Sequence, residues 1–481
     1  MIDHPYLNQL RQKKVHLVGL SSAEISAVAE FLHVQGVKNM VAHDIKDGVE
    51  FKQSFRRAHQ GLTRAQQVSA LKKIEALPLE RRFGKKYLQG IAEAQVVFPT
   101  QGWFLYPESK DKLSELLSQG MEFGSMTKLY LQLSPATVIG VTGTNGKGTT
   151  THLVAAMLKK SGRKVYLAGN DPESIQALDQ LEKMKENEYL VLEISNRQLM
   201  IDLGKSPKVA VITNVTPNHL NEHRHLFDEY ARTKQSLLKY QAAGDYTVLN
   251  FDNETTAQFA TKAKARVCGF STFKNLRDGV CLIKDKIVSS CDGRSDEVLS
   301  ASEVKLPGRY NLENVLAAVA VAKICQVDNQ SIKQAVASFK GMPHRLEFIR
   351  EFKGVRYYND LFSTTPASTQ LAIESFDRPV ILIAGGDAKG VDYFSLAEAI
   401  KHRVKKLWLF PGTVAEDLKK HFQKIHFGNF VETDDFDKCL EEVAASAADR
   451  DLVLLSPGGA YFSSKFIEKK SKGFDALVRS W

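Results

Sequence analysis

Residues 137–150 read TVIGVTGTNGKGTT: a run of buried-strand character from Thr137 to Val141 passes into the turn Gly143-Thr144-Asn145-Gly146-Lys147-Gly148-Thr149-Thr150. A helix follows, in which Val154, Met157 and Leu158 recur at helical spacing. Glycines let successive backbone N–H groups turn toward an anion, the helix N-terminus adds partial positive charge, and Lys147 can reach outer phosphates. Thr149 or Thr150 offers a hydroxyl to Mg²⁺. The turn departs from G-x-x-x-x-G-K-[ST], because Gly143 lies only three residues before Gly146 and Gly148 stands where a hydroxyl residue is usual. Strand, turn, lysine, threonines and helix in this order predict a nucleotide site on a parallel sheet, in preference to a ligand-free turn.

Downstream, strand-like runs at Val165 to Ala168, Tyr189 to Glu193 and Val209 to Asn214 alternate with helical stretches, which predicts a mainly parallel sheet covered by helices. Short alternating runs over about 265–292 predict a small antiparallel attachment, and helices near Asn311 to Ile324 and Ile332 to Phe339 close this part. A third unit starts near Met342, with strands at 380–384, 407–410 and 452–456 separated by helices. Upstream, VHLVG (15–19), a helix over Ala23 to Gln35 and a strand ending in Asp44 read as βαβ. Gly19 to Glu24 keeps one glycine of the three in a dinucleotide fingerprint, while Ser21 and Ser22 at a helix N-terminus leave phosphate binding open. The charged, helix-prone stretch over 46–90 has no assigned role. The reading is an α/β chain of three domains: 1–135 Rossmann-like, 136–341 a P-loop ATPase-type mainly parallel sheet, and 342–481 Rossmann-like.

The length of 481 residues agrees with about three domains at roughly 100–200 residues each. With 43% hydrophobic and 25% charged residues, a disordered or collagen-like chain is excluded. The formal charge of +10 suits an anionic ligand or a nucleic-acid surface, or is a diffusely basic surface without one partner. No nucleic-acid recognition motif accompanies it. Five cysteines form no C-x-x-C pair, which predicts a reducing, cytoplasmic location. The polar N-terminus and the lack of a long apolar run predict neither signal peptide nor membrane span.

TGTNGKGTT resembles the ATP loop of the Mur ligases and their folylpolyglutamate synthase relatives, which are three-domain, ATP-dependent amide-forming enzymes. Gly148 is more like the folate branch. Seven later segments are similar to the glutamate-adding Mur ligases instead: LEISNRQL (192–199), ITNVTPNHLNEH (212–223), EYARTKQSLL (229–238), LPGRYNLENVLAA (306–318), GMPHRLEFIREFKGVRYYND (341–360), IAGGDAKGVDY (383–393) and LLSPGGAYF (454–462). The resemblance implies addition of glutamate to UDP-N-acetylmuramoyl-L-alanine through an acyl phosphate, with ATP and two Mg²⁺ ions; a monomer is the expected state, on which the sequence itself is silent. It places ATP on Gly143, Thr144, Asn145, Gly146, Lys147, Gly148 and Thr149, with Asn311 and Asn314 toward the adenine and Arg345 and Asp360 toward phosphate and ribose. Lys147, Glu193, His219 and Lys234 are the implied catalytic set, and Thr149, Glu193, His219 and a carbamylated Lys234 the implied metal ligands. Asn170, Thr364 and Lys389 fall on substrate positions.

The sequence departs from the family at Phe362, where a lysine is usual, at Tyr461, where a serine is usual, at Tyr310 in place of histidine, and at Ser471-Lys472-Gly473 in place of Arg-Gly. Two alternatives stay open: a relative with another amino acid or acceptor, and an ATP-binding protein that has lost ligation. Retention of Glu193, His219 and Lys234 speaks against the second, since binding alone needs no such metal chemistry.

Overall fold

The computed structural model describes residues 1–170, 177–291, 294–467 and 473–481; Ser471 and Lys472 lie outside them. Three sheets follow one another along the chain. The first has five parallel strands in the spatial order Glu80–Phe83, Met40–Asp44, Val15–Val18, Val96–Pro99, Glu122–Phe123. The stretch over 46–90 forms helices Gly48–Ala58 and Arg64–Ala76 and the edge strand of this sheet. Its charges are the wet faces of those helices, which bury Phe51, Phe55, Leu71 and Ile74.

The second sheet runs Arg294–Ser300, Lys286–Cys291, Gly279–Ile283, Arg266–Ser271, Tyr246–Asn250, Val209–Ile212, Thr137–Thr142, Tyr189–Glu193, Val165–Gly169. The expected antiparallel attachment over 265–292 is present from Gly279 onward, where Gly279–Ile283, Lys286–Cys291 and Arg294–Ser300 are antiparallel, but Arg266–Ser271 departs from it and pairs parallel with both neighbours. Alternation signals a strand but not its direction. Where the two strands pair, a Cβ on Gly279 would lie 2.1 Å from the Gly269 carbonyl oxygen, so a side chain has no room there. Helix Lys147–Lys160 packs on this sheet beside Arg309–Ile324, whose Val315 to Ala322 are all buried.

The third sheet runs Glu347–Phe352, Val355–Asn359, Leu452–Gly458, Val380–Gly385, Val404–Leu409, Phe430–Glu432, with the first pair antiparallel and the rest parallel. Apolar side chains cover both of its faces. One core, by contrast, runs continuously from the first sheet into the second, and the Tyr130 hydroxyl accepts the Ala177 N–H across that join at 2.8 Å. No helix among the described residues is long and apolar enough to cross a membrane.

Candidate functional site

Strand Thr137–Thr142 lies between Tyr189–Glu193 and Val209–Ile212, while the strand that follows it in the chain lies at the sheet edge. The carboxyl end of Thr137–Thr142 is therefore a switch point, where loops diverge and leave a crevice. Gly143 to Gly146 fills that end. Gly146 has φ 82°, and a Cβ there would lie 2.0 Å from Asn314 Oδ1. The next strand's exit segment holds the loop from below. Asn214 accepts the Asn145 N–H at 2.9 Å and donates to its carbonyl at 3.1 Å, and the Thr213 hydroxyl donates to the same carbonyl at 2.5 Å. Thr144 Oγ1 meets the Tyr230 hydroxyl at 3.1 Å. Lys147 Nζ folds back to donate to the carbonyls of Gly143 and Thr144, both at 3.0 Å. Burial pushes this amine down to about 8; Glu193 opposes the shift, while Arg345 and Lys389 add to it.

Glu193 is buried at the end of its strand and accepts a hydrogen bond from Asn170 Nδ2 at 3.2 Å. Asn170 thus orients the carboxylate. A Cβ on Gly148 would stand 3.0 Å from Glu193 Oε2, so the missing side chain makes room for that carboxylate beside the helix start. Lys234, in helix Phe227–Gln235, is buried; its Nζ donates to the Gly143 carbonyl at 2.8 Å and lies 4.9 Å from the centre of the Tyr230 ring. Burial, then the neighbouring Lys147 charge, holds this amine well below its usual value, with Glu193 opposing. A lowered pKa raises the share of uncharged, nucleophilic amine, the form that carbamylation requires.

His219 has φ 53° and its Nδ1 lies 2.9 Å from Glu222 Oε1. Burial lowers the imidazole's pKa although Glu222 raises it, so the ring is neutral at pH 7. Burial would lift Glu222, but its bonds to His219 and Arg197 bring the carboxyl down to about 2. With Nδ1 turned to Glu222, Nε2 is left to face a ligand, the usual support for a metal-binding histidine. Glu193 supplies hard oxygens of the kind Mg²⁺ takes, and Lys234 would supply more once carbamylated, whereas the His219 nitrogen is a softer donor than Mg²⁺ usually takes.

The third sheet brings its own groups to the loop. A cleft of about 50 Å³ is lined by Asn145, Gly146, Thr149, Asn311 and Asn314 on one side and by Arg345, Asp360 and Phe362 on the other. Burial raises Asp360 to about 6, against hydrogen bonds from Ser363, Ser456 and the Leu346 N–H. Lys389 Nζ donates to Thr364 Oγ1 at 2.8 Å, and burial followed by the Arg197 charge lowers its pKa. Phe362 is 44% exposed; the Arg345 guanidinium lies 5.6 Å from its ring centre and His344 packs edge-on at 5.3 Å. Tyr461 is 69% exposed with φ 60°.

Sequence reasoning missed Glu222, Arg197, Asn214 and Tyr230 as supports. Both Glu222, three residues after His219, and Arg197, four residues after Glu193, stand within segments already singled out, but nothing local shows that the two pair. In the first sheet the Ser21 N–H donates to Asp44 Oδ2 at 2.7 Å and Ser22 Oγ accepts from the Ile25 N–H at 3.2 Å. The Ser21 donor that was open to a phosphate is therefore taken by a carboxylate.

Residues 141–322 match the Mur ligase middle domain, and residues 344–459 match the Mur ligase, glutamate ligase domain. The chain is 33% identical to the UDP-N-acetylmuramoylalanine–D-glutamate ligase of Acetivibrio thermocellus, over 99% of this chain and 98% of that one. With the enzyme of the same name from Clostridioides difficile the identity is 34%, over 98% and 99%. Among solved structures, the MurF ligase of Thermotoga maritima in complex with ADP aligns with a TM-score of 0.56 at 22% identity, over 83% of this chain and 94% of that one. The UDP-N-acetylmuramate-alanine ligase MurC of the same organism aligns at 0.56 and 17% identity, over 94% and 97%. These structures share the fold.

Proposed function

The chain belongs to the Mur ligase family, and from that premise we propose that it joins D-glutamate to UDP-N-acetylmuramoyl-L-alanine with ATP, a step of peptidoglycan precursor synthesis in the cytoplasm. The names of its full-length relatives supply the substrates. The observation that carries the chemistry is the buried Lys234 amine on the Gly143 carbonyl, beside Lys147 and the Glu193 carboxylate. Residues 1–135 would hold the UDP-linked substrate, 136–341 the ATP loop, and 342–481 the amino acid.

The reaction brings the substrate carboxylate against the γ-phosphate of ATP, two anions that repel strongly in a water-poor site. Lys147 moves from its carbonyl contacts to the outer phosphates, and the loop N–H groups face the inner ones. Asn311 and Asn314 border the adenine end, and Arg345 and Asp360 approach from the third sheet. A cleft of about 50 Å³ is too narrow for a nucleotide, so ATP enters when the third domain swings away, and its return completes the site. Mg²⁺, held by Thr149, Glu193, His219 and carbamylated Lys234, would neutralise phosphate charge as the acyl phosphate forms. Lys389 and Thr364 receive a carboxylate of the incoming amino acid, whose amine then displaces phosphate to form the amide.

The experiment is phosphate release with ATP, UDP-N-acetylmuramoyl-L-alanine and a panel of amino acids. Release with D-glutamate is expected. Release with another amino acid alone would overturn the named substrate, a result that Phe362 and Tyr461 in place of a lysine and a serine would explain. No release with any amino acid, alongside intact ATP binding, would remove the ligase reading. Lys234→Ala is expected to be inactive and partly rescued by short carboxylates; an unimpaired variant would discard the carbamate.

A further inference from the structure

Away from the interdomain cleft, a cavity of about 270 Å³ opens on the flank of the second sheet, between helix Phe227–Gln235 with the turn after it and the segment leading into strand Arg266–Ser271. Its charged lining is Arg232, Lys239, Lys262 and Lys264, with no Asp or Glu. Lys239 is paired with Asp202 at 2.9 Å. No ion pair engages Arg232, Lys262 or Lys264 among the described residues.

Another basic cavity, of about 370 Å³ beside the third sheet, shows what compensation looks like in this protein. There Arg378 pairs with Asp377 at 3.3 Å, Lys405 with Asp451 at 2.6 Å and Arg450 with Asp449 at 3.6 Å. The flank cavity lacks that compensation. Cations converging on one concavity repel each other, and the concavity focuses their field, so a counter-anion of matching size is favoured there. Gln235 adds an amide and Leu238 an apolar wall. The patch is one cavity with four cations, too short a track for a nucleic-acid backbone.

We propose that this cavity binds the phosphate or pyrophosphate group of a small phosphorylated molecule, at a second anion site separate from the ATP loop. Arg232 is two residues from Lys234 on the same helix, so an occupant would sit on the outer side of the element that carries the buried amine. A phosphate can also belong to a lipid headgroup, and the test separates the two sources.

The probe is inorganic pyrophosphate, titrated calorimetrically into the full-length protein in low salt. Wild type is expected to bind two per chain, Lys147→Met to keep only the flank site, and Lys262→Glu/Lys264→Glu to keep only the loop site. Both flank lysines are exposed, and an unchanged circular-dichroism melt would show that the double variant folds. Arg232→Gln should weaken the flank site at least tenfold without reversing a charge. One pyrophosphate per chain in wild type, abolished by Lys147→Met, would overturn the proposal, and so would two retained in the double variant. Sedimentation with phosphatidylglycerol vesicles, lost in the double variant while the chain binds a single pyrophosphate, would assign the cavity to a membrane headgroup and overturn the small-molecule reading. The readout is binding, so it stands or falls apart from the ligase reading.

Discussion

Replacing Glu222 with Gln removes the charge that orients His219 while keeping the shape of the side chain. The carboxylate is only 4% exposed; it takes bonds from Arg197 Nη2 at 2.6 Å and Nε at 3.2 Å and lies 2.9 Å from His219 Nδ1. Held at about 2 instead of 4.5, the carboxyl corresponds to about 3 kcal/mol of stabilisation at 1.36 kcal/mol per tenfold. At neutral pH the imidazole is uncharged, which leaves Arg197 as the charged partner, and the worth of one charged hydrogen bond, about 1.5–3 kcal/mol, is the better figure. Because the folded carboxyl titrates below the unfolded one, this stability is fully present above pH 4.5 and fades as pH falls toward 2. Urea unfolding should therefore show Glu222→Gln weaker by about 2 kcal/mol at pH 7, with the gap closing in acid. The Mg²⁺ concentration for half-maximal phosphate release should rise by about 10- to 100-fold, the usual cost of losing a support behind a metal-binding histidine. Equal stability at pH 7 together with a wild-type Mg²⁺ curve would refute the reasoning.

Three other outcomes are expected. Gly146→Ala places a Cβ 2.0 Å from Asn314 Oδ1 at φ 82°, a backbone strain of about 1–2 kcal/mol before the clash; ATP saturation should show KM raised at least tenfold, and a wild-type KM would contradict this. With Lys147 titrating near 8, kcat/KM for ATP should fall as pH climbs past that point, and less so in Lys147→Arg; a flat profile to strongly alkaline pH would count against a phosphate role for the amine. His16 is fully buried, 2.8 Å from His43, and burial followed by the His43 charge holds it at about 3. The unfolded chain takes up that proton more readily, so stability is complete above pH 6.5 and lost toward pH 3, by about 5 kcal/mol at most; His16→Phe should soften the acid limb of a thermal-melt series, and an unchanged limb would contradict it.

The glycine loop was legible because its function is local: strand, turn, lysine and helix are contiguous, and their order alone makes an anion site. Lys234 was not legible from its own surroundings. A lysine on a helical stretch reads as solvated, and only the resemblance singled it out; its burial arises because residues 91 positions apart bring its amine to the Gly143 carbonyl. The charged stretch over 46–90 stayed unread for the opposite reason. Its few apolar residues suffice for two helices, but only pairing with Met40–Asp44 makes Glu80–Phe83 a strand, since an edge strand has few side chains to bury.

By itself the sequence determined the α/β class, the parallel middle sheet and the glycine-rich turn between a buried strand and a helix, because periodicity and turn chemistry act over a few neighbouring residues. Tertiary structure alone decided the direction of strand Arg266–Ser271, the use of the Ser21 N–H by Asp44, the clamp of Asn214 on Asn145 and the chain from Arg197 through Glu222 to His219. It also decided that Lys147, Lys234 and His219 all lie below their ordinary pKa values. Those depend on how much water and which charges surround a group, and both follow from which distant segments fold against it.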